Sequence, residues 1–416
     1  MNVDARKPST LAKLERMAKA FRHEEPDRVP ISDFFWGSFI ERWRRELGLA
    51  EDASPYYHYD LDWIVTIPNM DPRIQPFETV RENDEEVVVK TGFGAILRKK
   101  FDAPMPEFVG FETDTLEKLE QWEFDAPDAR CRFFEAGDNQ IAGVGDGFQR
   151  NSPPWIDTVN ALWPDFPVYG SMIECSEVLT RMVGPQNTML WIGMEPERMG
   201  AAINRIGQFC LDCLKAQIAA AEEHPGQASG QTDDRPHPQP SPLTSQPSRL
   251  DGMVIWGDVA YKKGMFFSPD YWREYFRPWV AAMIEHCHQH GLPVIYHGCG
   301  NVKMIFEDFI DLGLDAYNPL EAKAGMDCVE LRRRYGHRIG FCGNSNIQVW
   351  ETGDREAIRR EVLRKLNAAK GGGMIFQSDH SVSSSVSGPT YDYIVQLVRE
   401  YGQYPLQLGD FDEKVS

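Results

Sequence analysis

The chain has 416 residues, 42 % of them hydrophobic and 26 % charged, with a formal net charge of −19 at pH 7. Such a chain can bury a large core, and its acidity disfavours nonspecific binding to nucleic acid or anionic lipid, which needs a basic face. Its apolar runs are far shorter than the roughly 20 residues of a bilayer span, and Met1–Arg16 is polar with no apolar signal-peptide core, so a cytoplasmic protein is expected.

Thr10–Phe21 reads as an amphipathic helix, Val29–Phe35 as a strand, Trp36–Leu47 as a helix and Tyr59–Ile67 as a second strand. Val87–Phe101 alternates on both sides of Gly92-Phe93-Gly94, which predicts an inserted β-hairpin acting as a flap. Thr115–Trp122 is a short helix.

From Val168 onward short apolar strands alternate with helices. The strands are Val168–Ile173, Gly252–Ala260, Pro293–Tyr296, Ala316–Leu320, Ile339–Cys342 and Met374–Gln377. Between and after them lie helices at Cys175–Met182, Pro196–Ala221, Pro269–His290, Val302–Asp311, Asp327–Tyr335, Arg355–Ala369 and Thr390–Tyr401. Apolar strands alternating with helices imply parallel β/α units, and about eight strands suit a closed (β/α)8 TIM barrel spanning residues 1–416 as one domain. No Gly-rich dinucleotide turn follows the first strand, which argues against a doubly wound sheet. Residues 225–249 are rich in Pro, Ser and Gln and poor in large apolar side chains, so a disordered surface insertion is expected there. The eight cysteines are scattered and read as buried small side chains rather than a disulfide framework.

In a β/α barrel chemistry gathers at the strand C-termini. Those ends carry Glu174, Asp258, His297 with Cys299, Asn318, Cys342 with Asn344, and Asp379 with His380. In His297-Gly298-Cys299 the two side chains face the same way in extended backbone, and imidazole nitrogen and thiolate sulfur are preferred zinc ligands. Spacing alone leaves the third ligand open among His380, Cys342, Asp379 and Glu174, with a hydrogen-bonding His297 and a packed Cys299 as the metal-free alternative. Asp258 is placed as a general base, an orienter of His297 or a helix N-cap. Phe34, Phe35 and Trp36 are candidates for the wall of an apolar pocket, suited to a methoxylated aromatic, or for plain core packing.

Several runs together resemble the uroporphyrinogen decarboxylase (URO-D) superfamily. They are Ala20-Phe21-Arg22-His23-Glu24-Glu25-Pro26-Asp27-Arg28-Val29-Pro30, Gly257-Asp258 with Ser268-Pro269-Asp270-Tyr271-Trp272, His297-Gly298-Cys299-Gly300-Asn301, Gly313–Glu321 and Gly340-Phe341-Cys342-Gly343-Asn344. The resemblance implies a (β/α)8 barrel. The true decarboxylase carries Arg-Gln-Ala-Gly-Arg-Tyr after its first strand, whereas Phe34–Ile40 here holds no arginine. The resemblance therefore points to the branch of zinc methyltransferases that exchange methyl groups with corrinoid proteins.

In that branch His297 and Cys299 match two metal ligands, and His380 stands where the family has a cysteine, with Cys342 as the alternative third ligand. The reading that follows is a zinc-dependent methyltransferase or demethylase. Asp258, Glu174 and Asp379 are its candidate catalytic groups, and Asn301, Asn318 and Asn344 its candidate cofactor contacts. Its expected cofactors are Zn2+ and a corrinoid carried by a partner protein, and its expected partners a small-molecule substrate, that corrinoid protein and a second copy of the chain. The rival readings are a metal-free decarboxylase of a carboxylated, tetrapyrrole-like substrate and a non-catalytic tetrapyrrole- or corrinoid-binding barrel.

Overall fold

The computed structural model describes residues 6–103, 105–142, 148–223 and 249–412. Nearly all of the Pro-rich stretch 225–249 lies outside the described residues.

Seven parallel strands form a curled sheet: Ile64–Val65, Val168–Ile173, Gly252–Trp256, Val294–His297, Ala316–Asn318, Gly340–Ser345 and Met374–Ser378, paired in chain order. Helices follow most of them, as the apolar, β-branched strand sequences demand: a strand covered on both faces needs no polar alternation. Val168–Ile173, Gly340–Ser345 and Met374–Ser378 are buried at every position.

The expected first strand, Val29–Phe35, is an irregular extended segment. Pro30 has no N–H to give a ladder, and the segment bridges its neighbours through single contacts instead. On one side Phe376 N–H donates to Pro30 O at 2.7 Å and Ser32 N–H to Phe376 O at 3.2 Å; on the other, Asp62 N–H donates to Ile31 O at 2.8 Å. These bonds join the two edges of the seven-stranded sheet, giving a TIM-like barrel. The second expected strand is regular only over Ile64–Val65.

Side chains two apart on each strand fill the interior in layers. Phe34, Trp63, Tyr169, Val254, Ile295, Ala316, Cys342 and Ile375 form one cluster. Met17 and Ala20 of the helix Pro8–Phe21 join it, so that helix packs against the barrel interior. One step further along the strands the same inward direction carries Trp256, His297, Asn318 and Gln377, where apolar filling gives way to polar groups.

Residues 66–167 separate the first two strands. Glu78–Glu82, Glu86–Lys90, Ala95–Lys100 and Glu107–Phe111 form a four-stranded antiparallel sheet that contains the expected hairpin. Two further sequence expectations ran too long. Gly252–Ala260 stops as a barrel strand at Trp256, and Ala260–Tyr261 turns into a short hairpin with Gly264–Met265. The helix expected over Pro269–His290 is broken by a π-helical turn, Trp272–Phe276, before Arg277–Gln289; Pro278 cannot donate an in-register hydrogen bond, and the wider turn accommodates it.

Candidate active site

The C-terminal strand ends open into a cavity of about 490 Å³. Phe34, Phe35, Trp36 and Tyr56 wall one side, and Leu97 and Phe108 of the antiparallel sheet, with Met105 and Pro106 just before its last strand, cover it as a flap. Asp258, His297 and Cys299 stand at its floor, and Trp256 packs beside the imidazole with ring centroids 4.6 Å apart.

His297 is held in one tautomer. Asn318, its strand neighbour in register, donates from Nδ2 to Cys342 O at 2.8 Å and to Gln377 Oε1 at 3.3 Å. Its Oδ1 therefore faces Nδ1 of His297 at 2.5 Å, and that nitrogen must be the donor. Nε2 is left with a lone pair, 3.8 Å from Cys299 Sγ. Burial pushes the imidazole down to about 4, so it is neutral near pH 7.

Cys299 reaches the floor by a turn that only glycine permits. Gly300 has φ +85°, and a Cβ there would stand 2.5 Å from the Ala260 carbonyl carbon. Asp258 Oδ1 fixes that turn by accepting from Cys299 N–H at 2.8 Å. Burial, with the nearby Glu177 charge, pushes the Asp258 carboxyl up to about 7, and burial with the Asp258 charge pushes the Cys299 thiol well above its usual range. Both side chains are half-buried: they touch the cavity but are otherwise enclosed by protein.

Asp258, His297 and Cys299 each offer a ligand atom within 4.8 Å of the other two, and among the described residues no other His, Cys, Asp and Glu group does so. A tetrahedral zinc bound by nitrogen and sulfur at their usual lengths separates them by about 3.6 Å. The 3.8 Å observed needs only a small adjustment. The Asn318 oxygen behind Nδ1 is the kind of partner that orients a ligating histidine.

The other predicted residues fall elsewhere. His380 lines the same cavity, with its ring 5.9 Å from Trp36 and Nδ1 3.2 Å from Ser381 O, but it does not join the close group. Cys342 lies in the barrel interior below Asn318, where its thiol donates to Gln377 Oε1 at 3.1 Å. Glu174 is an N-cap: it accepts from Ser176 N–H at 2.8 Å and from the Ser176 and Cys175 side chains, and burial pushes it up to about 7. Asp379 clamps two loops, accepting from Ala322 N–H at 2.9 Å and Ile347 N–H at 2.8 Å. Asn344, at φ +77°, turns away from the barrel axis to accept from Cys328 N–H and Lys365 Nζ. Asn301 accepts from Lys303 N–H in its own turn. Of the three asparagines, only Asn318 touches the site.

Sequence reading missed Glu177, Thr180 and Arg181, which the helix Cys175–Val183 presents to the cavity, and Gln140. The helical spacing of 177, 180 and 181 on one face was the available signal.

The fold and the floor of the site define a TIM-like α/β protein with a thiol, an imidazole and a carboxyl at the mouth. Residues 253–401 match the family model of uroporphyrinogen decarboxylase (URO-D). The matched segment contains all three floor residues. A methyltransferase from Methanosarcina mazei superposes over 94 % of this chain and 98 % of its own, with a TM-score of 0.60 at 15 % identity. That likeness is one of fold. A GH2 beta-galacturonidase from Eisenbergiella tayi, bound to galacturonate, overlaps 61 % of this chain and 44 % of its own at a TM-score of 0.32 and 13 % identity, too slight to bear on the fold. No curated protein matches the chain. Among the described residues no helix is long and apolar enough to cross a membrane.

Proposed function

We propose that the protein is a zinc-dependent methyltransferase or demethylase, exchanging a methyl group between a small substrate or thiol and a corrinoid carried by a partner protein. The observation that carries this reading is the Asp258–His297–Cys299 group, whose ligand atoms lie within 4.8 Å of one another at the floor of an apolar cavity. An imidazole nitrogen, a thiolate and one carboxylate oxygen form a three-ligand set of the catalytic zinc type, in which a further position stays open for substrate. The geometry favours Asp258, rather than His380 or Cys342, as the third ligand.

Zinc in this pocket supplies a positive charge that favours the thiolate form of a neighbouring thiol at neutral pH. The chain's own groups do the rest. Asn318 holds the His297 lone pair towards the floor, Asp258 fixes the Cys299 turn through its N–H, and the flap and the aromatic wall keep water from the reacting group. The corrinoid partner and the thiol acceptor rest on the sequence resemblance, and the fold shared with a methyltransferase is consistent with them.

The test is zinc-dependent demethylation of free methylcobalamin, followed by its visible spectrum, with 2-mercaptoethanol as acceptor. Turnover in the zinc-loaded wild type and its loss in Cys299→Ala is expected. Methylcobalamin that is stable with zinc-loaded wild type overturns the reading.

A second reading has one observation in its favour: a half-buried Asp258 on the cavity floor, pushed up to about 7, is suited to acid–base work, as a metal-free decarboxylase requires. Uroporphyrinogen itself fits poorly. Phe34, Phe35 and Trp36 stand where arginines are needed, and Arg181 is the one Lys or Arg on the cavity wall among the described residues. Several buried carboxylates cannot be satisfied by a single cation.

A further inference from the structure

Among the described residues Arg181 is the cavity's one guanidinium, and its surroundings prepare it for an anion. It projects from the helix Cys175–Val183 one turn after Glu177, which also lines the cavity. A single Glu177 oxygen, Oε1, takes both Nε at 2.8 Å and Nη2 at 2.7 Å. The planar head is thereby fixed by one edge, and among the described residues no partner is recorded for Nη1. The side chain keeps 27 % of its surface accessible. A fork held flat by one carboxylate and open along its other edge suits bidentate recognition of a second.

A second donor borders the same wall. Gln140 is 1 % exposed, and among the described residues its Nε2 has no hydrogen-bond partner, although its Oε1 accepts from Thr91 and its N–H donates to Asp71 at 3.2 Å. Asp71 ties the two together: Arg181 lies close enough to oppose the burial that pushes the Asp71 carboxyl up to about 7. A buried amide without an acceptor carries a desolvation cost that a ligand oxygen on this wall relieves. The rest of the lining is aromatic or aliphatic, apart from Thr180, His380, Ser381 and the polar floor.

We infer that Arg181, buttressed by Glu177 and joined by Gln140, forms an anion subsite that selects small monocarboxylates with a flat apolar body. The carboxylate lies on the Arg181 edge, the body lies against Phe34, Trp36 and Trp256, and the remaining end reaches the Asp258–His297–Cys299 floor. This specificity rests on the proposed function for what happens at the floor, but binding at Arg181 does not need the metal.

The experiment is calorimetric titration of zinc-free protein, stripped with chelator, with benzoate and with its neutral isostere benzamide. A charge-assisted pair in a half-buried site predicts benzoate binding about tenfold tighter than benzamide in the wild type. Arg181→Gln abolishes that preference, Arg181→Lys keeps part of it, and Glu177→Gln keeps or strengthens it because the competing carboxylate is gone. Benzoate that binds no tighter than benzamide, or does not bind, overturns the inference, as does a preference that survives in Arg181→Gln. If Arg181→Gln fails to fold, a preference undiminished in Arg181→Lys overturns it instead. Because no zinc is present, failure here leaves the metal reading standing, and failure of the metal reading leaves this result intact.

Discussion

Asn318→Asp changes one nitrogen to oxygen and puts a carboxylate where an amide oxygen now sits 2.5 Å from His297 Nδ1. In the wild type the imidazole is pushed down to about 4, chiefly by burial, with the Asn318 hydrogen bond opposing it. An opposite charge in hydrogen-bond contact raises a histidine by about 1–3 units, or about 1.4–4 kcal/mol. The variant histidine is therefore expected to titrate between about 5 and 7. The sign extends to stability. Wild-type His297 resists a proton that the unfolded chain accepts near 6.5, so its contribution is full above that pH and is lost as pH falls towards 4. In the variant that loss shrinks, because the folded state now accepts the proton as well. The substitution also has a cost: Asn318 Nδ2 donates to Cys342 O and Gln377 Oε1, and two acceptors facing a carboxylate destabilise the fold by about 1–3 kcal/mol near neutral pH. The assay is an NMR pH titration of the labelled imidazole in zinc-free protein, with urea unfolding at pH 5 and pH 7.5 beside it. A histidine that still titrates near 4, or lower, refutes the assignment of Asn318 as the acceptor at Nδ1.

Asp71 is a buried acid raised to about 7, so its charging penalises the fold as pH rises from about 4 to 7. Asp71→Asn is expected to gain about 2–3 kcal/mol more at pH 8 than at pH 5 in urea unfolding; an equal change at both pH values refutes the titration. Asp62, fully buried, accepts from Arg16 at 2.5 Å, Arg28 at 2.6 Å and Ile31 N–H at 2.7 Å, which ties the N-terminal helix to the irregular segment that links the sheet edges. Asp62→Ala leaves the buried Arg28 guanidinium without its carboxylate and Arg16 with Asp27 alone, and is expected to cost about 3–5 kcal/mol, read as a shift in the urea midpoint; a cost under about 1 kcal/mol contradicts it. Gly300→Ala forces a Cβ against the Ala260 backbone at positive φ, and circular dichroism melting together with Cys299 alkylation rates should show a less stable protein with a more reactive thiol. An unchanged melt and rate mean that the turn is not strained.

The parallel β/α rhythm was readable because strands buried on both faces are written as apolar runs, and Val168–Ile173 and Met374–Ser378 fall within a residue of their expected bounds. The irregular ends were less readable. Pro30 left Val29–Phe35 to be held by bridges from both sides, and the Pro278 π-helical turn has no periodic signature. His297 and Cys299 were legible from the period of two, since Ile295 already faces the interior. The roles of their neighbours depended on contacts far apart in sequence. Asn318 orients His297 across adjacent strands, Asp258 meets Cys299 across a loop, and Glu174 spends its carboxylate on its own helix start. Asn344 could not be placed from strand alternation because its positive φ reverses its direction. Arg181 escaped notice because it lies about two helix turns beyond the strand end rather than on it.

The central claim is tested most directly by elemental analysis of untagged protein: wild type beside Asp258→Asn, His297→Ala, Cys299→Ala and His380→Ala. The account predicts stoichiometric zinc in the wild type and in His380→Ala, and its loss in the other three. Zinc at background level in the wild type, or zinc lost in His380→Ala but kept in Asp258→Asn, contradicts it.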